Sequence, residues 1–297
     1  MKLVATLVSS QPGALDDALL TRAATVLADD GPPAWLEPGI AADIPFNGTG
    51  GNDNRLVADH IRAALAGAPI DVVVQPAEGR RKKLLLADMD STMIGQECID
   101  EMADFVGKKA DVAAVTERAM RGEIAFEPAL RARVALLRGL PAGTVDEVIE
   151  QRIRITPGAR TLIATMRAHG AYTCLVSGGF TVFTDRIREM IGFDEARGNR
   201  LDVEGTRFAG TVAEPIFGRD GKRASLIELR TRLKLSAGAT MAIGDGANDL
   251  DMISEAGLGV AYHAKPAVAA AAAACVEHND LTALLYIQGY RRTEFAA

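Results

Sequence analysis

Cysteine is sparse in this 297-residue sequence, which contains only Cys98, Cys174 and Cys275. An odd number of widely spaced cysteines provides neither a disulfide framework nor a zinc-binding pair. We therefore expect reduced thiols, as in a cytosolic protein, and predict a cytoplasmic location.

Long apolar runs are missing as well. The longest, residues 266–276, has 11 residues and is mostly alanine, which is too short to cross a bilayer and favours a helix leading into a short strand. The first eight residues contain one lysine and are followed by polar and acidic residues, a pattern that does not match a signal peptide. The sequence thus predicts no membrane partner.

A basic excess is also lacking, because 33 Lys and Arg face 39 Asp and Glu, for a net charge of -6. Phosphate contacts to nucleic acid need clustered Lys and Arg, so we predict no nucleic-acid partner. The hydrophobic share of 48% and charged share of 24% exclude a wholly disordered chain, a collagen-like repeat and a coiled-coil rod. The length predicts about two domains.

The first part of the chain, residues 1–78, is predicted to be a small α+β domain. Its strands and helices are expected in the order βαββαβ of a ferredoxin-like sandwich, at residues 2–8, 14–28, 34–36, 42–46, 55–66 and 71–74. The loop Gln11-Pro12-Gly13 resembles the turn of ACT-type amino-acid-sensing domains, although Ser10 and Gln11 stand where an acidic residue is usual. That departure favours the alternative, a unit for packing or homodimerisation without a ligand.

Residues 76–83 combine proline, glycine and four basic residues, which predicts a solvated linker. Beyond it, apolar strands are expected at 84–87, 172–176, 240–243 and 258–262, separated by helices. This alternation is typical of a doubly wound parallel sheet, an α/β fold.

Two further segments interrupt the α/β pattern. Residues 97–155 are predicted to be helical, which indicates an inserted cap at 96–156 within a core formed by 79–95 and 157–297. Residues 200–203 and 207–212 are predicted to form a hairpin added to the sheet.

Carboxylates follow two of the predicted strands: Asp88 and Asp90 after the first, Asp245 and Asp249 after the third. Ligands bind beyond the carboxyl ends of strands in open parallel sheets. Neighbouring carboxylates repel each other unless a cation lies between them, so a hard divalent cation such as Mg²⁺ is predicted there. Taken singly, each pair is explained equally well by a solvated turn.

Two other features are compatible with an anion site. Ser177, Gly178 and Gly179 lie between a predicted strand and a predicted helix, where backbone N–H groups can bind an anion. The alternative is that Ser177 only caps the helix. Lys222 lies at a predicted helix start, where the helix dipole disfavours a positive charge, so a role outside structure is plausible for it. The alternative is that Lys222 is an ordinary solvated surface lysine.

Together and in this order, these elements resemble the haloacid dehalogenase superfamily over residues 84–290. The matching motifs are Asp88-x-Asp90-x-Thr92, Ser177, Lys222 and Gly244-Asp245-Gly246-x-Asn248-Asp249. The resemblance implies that Asp88 is a nucleophile and Asp90 a general acid and base. It also implies that Mg²⁺ is held by Asp88, the Asp90 carbonyl and Asp245, with Asp249 orienting its waters. The groups it implies for binding the phosphorylated substrate are Ser177, Gly178, Gly179, Lys222 and Asn248.

Within that superfamily, two stretches resemble the phosphoserine phosphatases: residues 95–101 and the pattern M-x-G-x-x-x-F-x-x-x-L-x-x-R-V at 120–134. The resemblance implies that Glu97 binds an ammonium, that Met120 and Phe126 are apolar lid residues, and that Arg133 binds a carboxylate, for which the planar guanidinium is suited. The alternative for Arg133 is a solvated Arg-rich helix face shared with Arg131.

The implied activity is hydrolysis of phosphoserine, the last step of serine biosynthesis, with this small molecule as the partner. Two alternatives stay open: a phosphatase for another small phosphomonoester such as phosphohomoserine, and an amino-acid-responsive binding protein with a vestigial site. Because all the motifs lie after residue 83, we expect residues 1–78 to be dispensable for the chemistry.

Overall fold

The structure, a computed structural model, describes residues 1–27, 31–48, 53–120 and 123–296, without the side chains of Asp53 and Met120. Among the helices it describes, none is long and apolar enough to cross a membrane.

The first part of the chain folds as a four-stranded antiparallel sheet with two helices. Its elements are β1 Lys2–Ser9, α1 Asp17–Val26, β2 Ala34–Glu37, β3 Ala41–Asn47, α2 Asp53–Ala64 and β4 Ile70–Pro76. The strand order is β2-β3-β1-β4, with each neighbouring pair antiparallel. Helix α1 begins after Asp16, whose carboxylate accepts a hydrogen bond from the N–H of Leu19 at 2.8 Å. The predicted βαββαβ order is therefore present, while the resemblance to ACT domains stays a prediction.

The rest of the chain contains eight strands and ten helices among the described residues. The strands are β5 Leu84–Asp88, β6 Tyr172–Phe180, β7 Glu195–Asn199, β8 Leu201–Glu204, β9 Arg207–Val212, β10 Thr240–Gly244, β11 Leu258–Tyr262 and β12 Ala274–Val276. The helices are α3 Cys98–Phe105, α4 Lys109–Met120, α5 Phe126–Ala135, α6 Thr144–Arg152, α7 Ala159–Ala168, α8 Thr181–Ile191, α9 Arg219–Arg232, α10 Leu250–Glu255, α11 Pro266–Ala271 and α12 Ala283–Ile287.

Six of these strands form one parallel sheet in the order β12-β11-β10-β5-β6-β7. The central strands β5 and β10 are buried along their whole length, which explains their continuous apolar sequences. The predicted parallel α/β sheet is confirmed. Its edge strand β7 was not predicted, because an edge strand is only half-buried and its sequence, EARGN, is polar.

The hairpin of β8 and β9 does not extend this sheet, so that prediction was wrong. The two strands form a separate two-stranded sheet that packs against α5. Their outer backbone groups pair with the loop that follows α5: the N–H groups of Gly139 and Phe208 donate to the carbonyls of Phe208 and Leu140 at 2.8 and 2.9 Å. The hairpin is thus held by the helical segment rather than by the main sheet.

Helices α3 to α6 lie between β5 and β6 in the chain, where a helical cap was predicted. The chain enters and leaves this segment through an antiparallel bridge between Ile94 and Ile155. Its buried apolar side chains, among them Met102, Leu130 and Val148, belong to the same apolar cluster as side chains of the parallel sheet.

The linker at residues 76–83 is less solvated than predicted, although Pro76 to Gly79 are exposed. Lys82 is buried; its ammonium donates to the carbonyls of Gly79 and Gly238, at 3.2 and 2.9 Å. Arg80 donates to Oδ2 of Asp43 at 2.5 Å. The basic residues find acceptors on both sides of the linker, which fixes its course.

Candidate active site

The first motif lies where the buried strand β5 ends. Asp88 is its last residue, only 4% exposed. The next turn reverses the chain with Ser91 at φ 54, and the N–H of Ser91 donates to the carbonyl of Gln96 at 3.2 Å. The turn points the carboxylate of Asp90 at the start of α3, where the N–H of Cys98 donates to it at 2.9 Å. Burial raises the pKa of Asp90, which favours a protonated form.

The second motif is the far end of β6, which continues through Ser177, Gly178 and Gly179 beyond its predicted end. The Ser177 hydroxyl donates to Oδ2 of Asp90 at 3.0 Å and accepts from the N–H of Gly179 at 2.8 Å. Ser177 is therefore not a helix cap, since α8 begins after Phe180 and no side chain caps it. The hydroxyl links two of the predicted motifs.

The third motif follows β10. A Cβ on Gly244 would lie 2.4 Å from Cγ of Asp249, so glycine is required to admit this carboxylate. Asp249 is fully buried, and its Oδ2 accepts from the N–H of Gly246 at 3.1 Å. Asp245 lies nearer the surface, with Oδ1 3.5 Å from the hydroxyl of Thr92.

Lys222 lies inside α9 rather than before it, and the solvated-surface alternative is wrong because the residue is 0% exposed. Its ammonium is 2.5 Å from Oδ1 of Asp88 and 2.7 Å from Oδ1 of Asp249. Burial alone would lower the pKa of Lys222, but these two carboxylates outweigh it and raise the pKa. Lys222 is therefore a buried ammonium at the centre of the motifs.

Three carboxylates, those of Asp88, Asp245 and Asp249, place oxygen atoms within 4.8 Å of one another. Burial and then the charge of Asp249 raise the pKa of Asp88 well above its usual value, and burial raises that of Asp245. One ammonium, that of Lys222, does not balance three carboxylates. An oxygen-rich site with excess negative charge fits a hard divalent cation.

A cavity of about 410 Å³ opens above these groups, between the sheet and the helical segment. Most of the residues predicted from the sequence line it: Asp88, Asp90, Glu97, Phe126, Arg133, Ser177, Gly178, Gly179, Asp245 and Asn248. Lys222 and Asp249 do not line it but are buried beside Asp88. The prediction for Met120 concerns a side chain outside the described residues.

Two side chains of opposite charge, Glu97 and Arg133, also line the cavity. Glu97 accepts a hydrogen bond from the Ser91 hydroxyl at 2.8 Å, and burial and the nearby charge of Asp90 raise its pKa to about 7. Among the residues that the structure describes, Arg133 makes one hydrogen bond, from Nε to the carbonyl of Ala129 at 3.4 Å, and burial lowers its pKa. Arg131 instead pairs with carboxylates at the surface, so the two arginines face opposite ways.

Phe126 covers part of the cavity near the glycines of the second motif. It is 42% exposed, yet an added Cβ on Gly178 would lie 3.3 Å from its ring. The ring thus lies against the backbone where a phosphate was predicted to bind.

Sequence reasoning missed eight residues of the cavity wall: Ser91, Ile99, Asp100, Thr116, Leu130, Phe180, Gly246 and Lys265. Lys265 follows β11, so the rule that ligands bind beyond the carboxyl ends of strands could have found it. Thr116 lies in α4, one turn before Met120, and had no motif to mark it.

A family model for haloacid dehalogenase-like hydrolases matches residues 85–254. A protein of Polaromonas sp. named phosphoserine phosphatase is 48% identical over 208 residues, which cover 68% of this chain and 88% of that protein. A longer one from Streptomyces coelicolor is 45% identical over 235 residues, covering 79% of this chain but only 57% of the relative.

Solved structures of the same family of hydrolases are also similar to this chain. A hydrolase of this family from Salmonella enterica superposes with a TM-score of 0.84 over 96% of this chain and 98% of its own, at 26% identity. A phosphoserine phosphatase in a phospho-aspartyl intermediate analogue state gives 0.64 over 69% of this chain and 98% of its own, at 38% identity. The chain therefore belongs to the haloacid dehalogenase-like hydrolase family, and within it to the phosphoserine phosphatases. Phosphatases of this family use a divalent metal ion, for which the three carboxylates provide ligands.

Proposed function

We propose that this protein hydrolyses O-phospho-L-serine to L-serine and phosphate, with Mg²⁺ as its metal ion. One observation carries the proposal: a single cavity is lined both by Asp88, Asp90 and Ser177 and by the opposite charges of Glu97 and Arg133. Phosphoserine carries a phosphate, an ammonium and a carboxylate, and each finds a chemically matched group there.

In the first half of the reaction, an oxygen of Asp88 attacks phosphorus and forms an aspartyl-phosphate. The bond from phosphorus to the seryl oxygen breaks, and Asp90 gives its proton to that oxygen. The raised pKa of Asp90 suits this role, because it increases the fraction of the carboxyl that carries a proton to give. Ser177 holds the acid by its hydrogen bond of 3.0 Å.

In the second half, a water molecule attacks the phosphorus of the aspartyl-phosphate. Asp90, now ionised, takes a proton from that water while the carboxylate of Asp88 leaves. Ser177, Gly178 and Lys222 hold the phosphoryl oxygens, over which the charge of the transition state is spread. Asn248, at the mouth of the cavity, is a further polar contact.

Mg²⁺ is assigned to the side chains of Asp88 and Asp245 and the backbone carbonyl of Asp90. Bound there, it would reduce the repulsion between the attacking carboxylate and the phosphate dianion. Asp249 would orient the waters of the bound ion, and the hydrogen bonds from Lys222 and Gly246 fix this carboxylate in place.

The substrate's amino-acid part is assigned to the charged and apolar side chains contributed by the helical segment and the turn before it. Glu97 accepts a hydrogen bond from the ammonium, Arg133 donates to the carboxylate, and Phe126 and Met120 are apolar lid residues.

The proposal also divides the chain into an amino-terminal unit at 1–78, a core at 79–95 and 157–297, and a cap at 96–156. A cytoplasmic location, and homodimerisation or amino-acid binding by the amino-terminal unit, are further parts of the proposal.

A substrate panel tests the proposal. With Mg²⁺ present, kcat/KM should be highest for phosphoserine, lower for phosphothreonine and phosphohomoserine, and lowest for p-nitrophenyl phosphate. Equal values would contradict the assignment of Glu97 and Arg133 to the ammonium and carboxylate of the substrate. A higher value for phosphohomoserine would identify that ester as the substrate. A complete lack of Mg²⁺-dependent turnover of every ester in the panel would indicate a vestigial site.

The covalent step has its own test. Wild type stopped during turnover of labelled phosphoserine should retain phosphate that hydroxylamine releases, as expected of an acyl phosphate. Asp88→Asn should retain none, because an amide is a poor nucleophile. Label retained by a folded Asp88→Asn protein would exclude Asp88 as the nucleophile.

A further inference from the structure

Thr116 carries a buried hydroxyl with no use inside the protein. It lies in α4, near the end of that helix, and lines the same cavity as Arg133 and Glu97. Its oxygen is shielded from solvent and has no hydrogen-bond partner among the residues that the structure describes. A buried hydroxyl without a partner costs free energy, so its presence in a cavity wall calls for a reason.

The usual partner of a hydroxyl within a helix is the carbonyl four residues earlier. Other helices of this protein follow the rule: Thr21, Thr25, Ser225 and Thr231 donate to such carbonyls at 2.7 to 2.8 Å. Thr116 does not use the carbonyl of Val112. Its hydroxyl is therefore free to bond to a ligand.

Thr184 in α8 provides an internal comparison. It also has a buried hydroxyl without a partner, but it does not line the cavity. A substitution there removes the same group from a similar setting and leaves the cavity wall unchanged.

We propose that Thr116 determines specificity by donating a hydrogen bond to the carboxylate of the bound substrate, beside Arg133. This inference rests on the proposed function. Helices α4 and α5, which carry Thr116 and Arg133, pack against each other, and both residues line the cavity. Rotation about the Cα–Cβ bond exchanges its hydroxyl and methyl groups without moving the helix.

The carboxylate is favoured over the ammonium because of the charges in the wall. Glu97 and Asp100 already offer acceptors for an ammonium. The described cavity wall has two cationic side chains: Arg133 interacts with Glu97 and Asp100, whereas Lys265 acts on Asp245. The guanidinium of Arg133 satisfies only part of a carboxylate, which accepts about four hydrogen bonds. A hydroxyl donor completes this set, and a bond to a charged acceptor is stronger than one to a neutral group.

The test compares phosphoserine with phosphoethanolamine, which keeps the phosphate and the ammonium but has no carboxylate. Thr116→Val should raise the KM of phosphoserine about tenfold with little change in kcat, which equals about 1.4 kcal/mol of binding. The ratio of kcat/KM for phosphoserine to that for phosphoethanolamine should fall by the same factor. Thr116→Ser, which keeps the hydroxyl, should restore the ratio, and Thr184→Val should leave it at the wild-type value.

The outcomes separate this inference from the function on which it rests. A wild type that prefers phosphoserine, with the same preference in Thr116→Val, overturns the role of Thr116 alone. A wild type without that preference overturns the proposed function and the inference together. Thr116→Val should also keep its melting temperature without ligand, because it loses no hydrogen bond; a lower value with equal losses on both substrates would identify a structural role instead.

Discussion

The ammonium of Lys222 lies 2.5 Å from Oδ1 of Asp88, in a region closed to solvent, and the same ammonium holds Asp249 at 2.7 Å. One cation thus joins the proposed nucleophile, Asp88, to Asp249, the last carboxylate of the third motif. Without it, the charge of Lys265, which acts on Asp245, would be left to offset three carboxylates whose oxygens lie within 4.8 Å of one another. Lys222 therefore stabilises the site before any substrate enters.

The stability of Lys222→Met should depend on divalent metal ions more strongly than that of wild type. When a chelator removes divalent ions, loss of the ammonium leaves buried carboxylates without a counter-ion. The free energy of unfolding of Lys222→Met should then be about 3–5 kcal/mol lower than that of wild type. Millimolar Mg²⁺ should recover part of this, because a cation in the cluster replaces some of the lost charge. Urea unfolding with and without Mg²⁺ measures both values. A variant as stable as wild type in chelator would show that the carboxylates are protonated and need no cation.

Asp90→Asn should lose far more activity with phosphoserine than with p-nitrophenyl phosphate. A seryl oxygen leaves as a basic alkoxide unless it is protonated, whereas p-nitrophenolate is a stable leaving group. General acid catalysis typically contributes about 10² to 10⁴ in rate, so we expect a loss of that order for phosphoserine only. Steady-state kcat values of wild type and Asp90→Asn on both substrates measure the two losses. Similar losses on the two would assign Asp90 a structural role, through its bonds to Cys98 and Ser177.

Binding of phosphoserine should weaken as pH falls through the pKa of Glu97, which is about 7. The sign follows from the raised pKa: below it the carboxyl is protonated, and a neutral carboxyl binds an ammonium poorly. The kcat/KM ratio of phosphoserine to p-nitrophenyl phosphate should therefore drop about tenfold per pH unit below 7, since both esters share the phosphate ionisation. Glu97→Gln should give a low ratio that no longer varies with pH. A pH-dependent ratio in that variant would point to another group.

Arg133→Ala should reduce kcat/KM for phosphoserine about 30- to 4000-fold, as expected for losing one partner of a desolvated charge pair worth about 2–5 kcal/mol. The loss should lie mainly in KM, and p-nitrophenyl phosphate should change by a few-fold at most. Arg131→Ala is a matched control on the same helix, because Arg131 pairs with Glu127 and Glu214 at the surface. Equal losses on both substrates would make Arg133 a residue that folds the cap.

The sequence predicted the site better than its surroundings, and the reason is physical. Asp88, Ser177 and Asp245 lie at or near the carboxyl ends of buried strands that meet at one edge of the sheet, so their proximity follows from local patterns alone. The hairpin after β7 was misplaced because strand pairing depends on partners distant in sequence, here the loop at 139–142. The bonds of Lys222 were equally hidden, since its two acceptors lie 134 and 27 residues away.

The course of the linker was misjudged for a related reason, and the error changes what truncation should do. Val8, Leu36 and Val73 of the amino-terminal sheet pack into one apolar cluster with Leu284 and Leu285 of the core. The motifs still lie after residue 83, but removal of residues 1–78 would expose this face. The expectation that the unit is dispensable for chemistry therefore holds only if the shortened chain stays folded.

Asp71 gives that contact a sharp test. Its carboxylate is buried and accepts from the backbone N–H groups of Glu277, His278 and Asn279 at 2.8, 3.2 and 3.1 Å, and from Nδ2 of Asn279 at 2.8 Å. Asp71→Ala leaves these donors without an acceptor, each costing about 1–3 kcal/mol where water cannot replace it. We expect the free energy of unfolding to fall by at least about 3 kcal/mol.

Asp59→Ala is the control for Asp71→Ala, because Asp59 is half exposed and pairs with Arg62 within one helix, a contact worth less than about 1 kcal/mol. Both variants are compared by denaturant unfolding and by kcat/KM for phosphoserine at a temperature where both are folded. Asp71→Ala should lose stability and keep kcat/KM, since the carboxylate is joined to the loop at 277–279 and is absent from the cavity wall. An Asp71→Ala protein as stable as Asp59→Ala would mean that water satisfies the loop and that Asp71 does not hold the amino-terminal sheet in place.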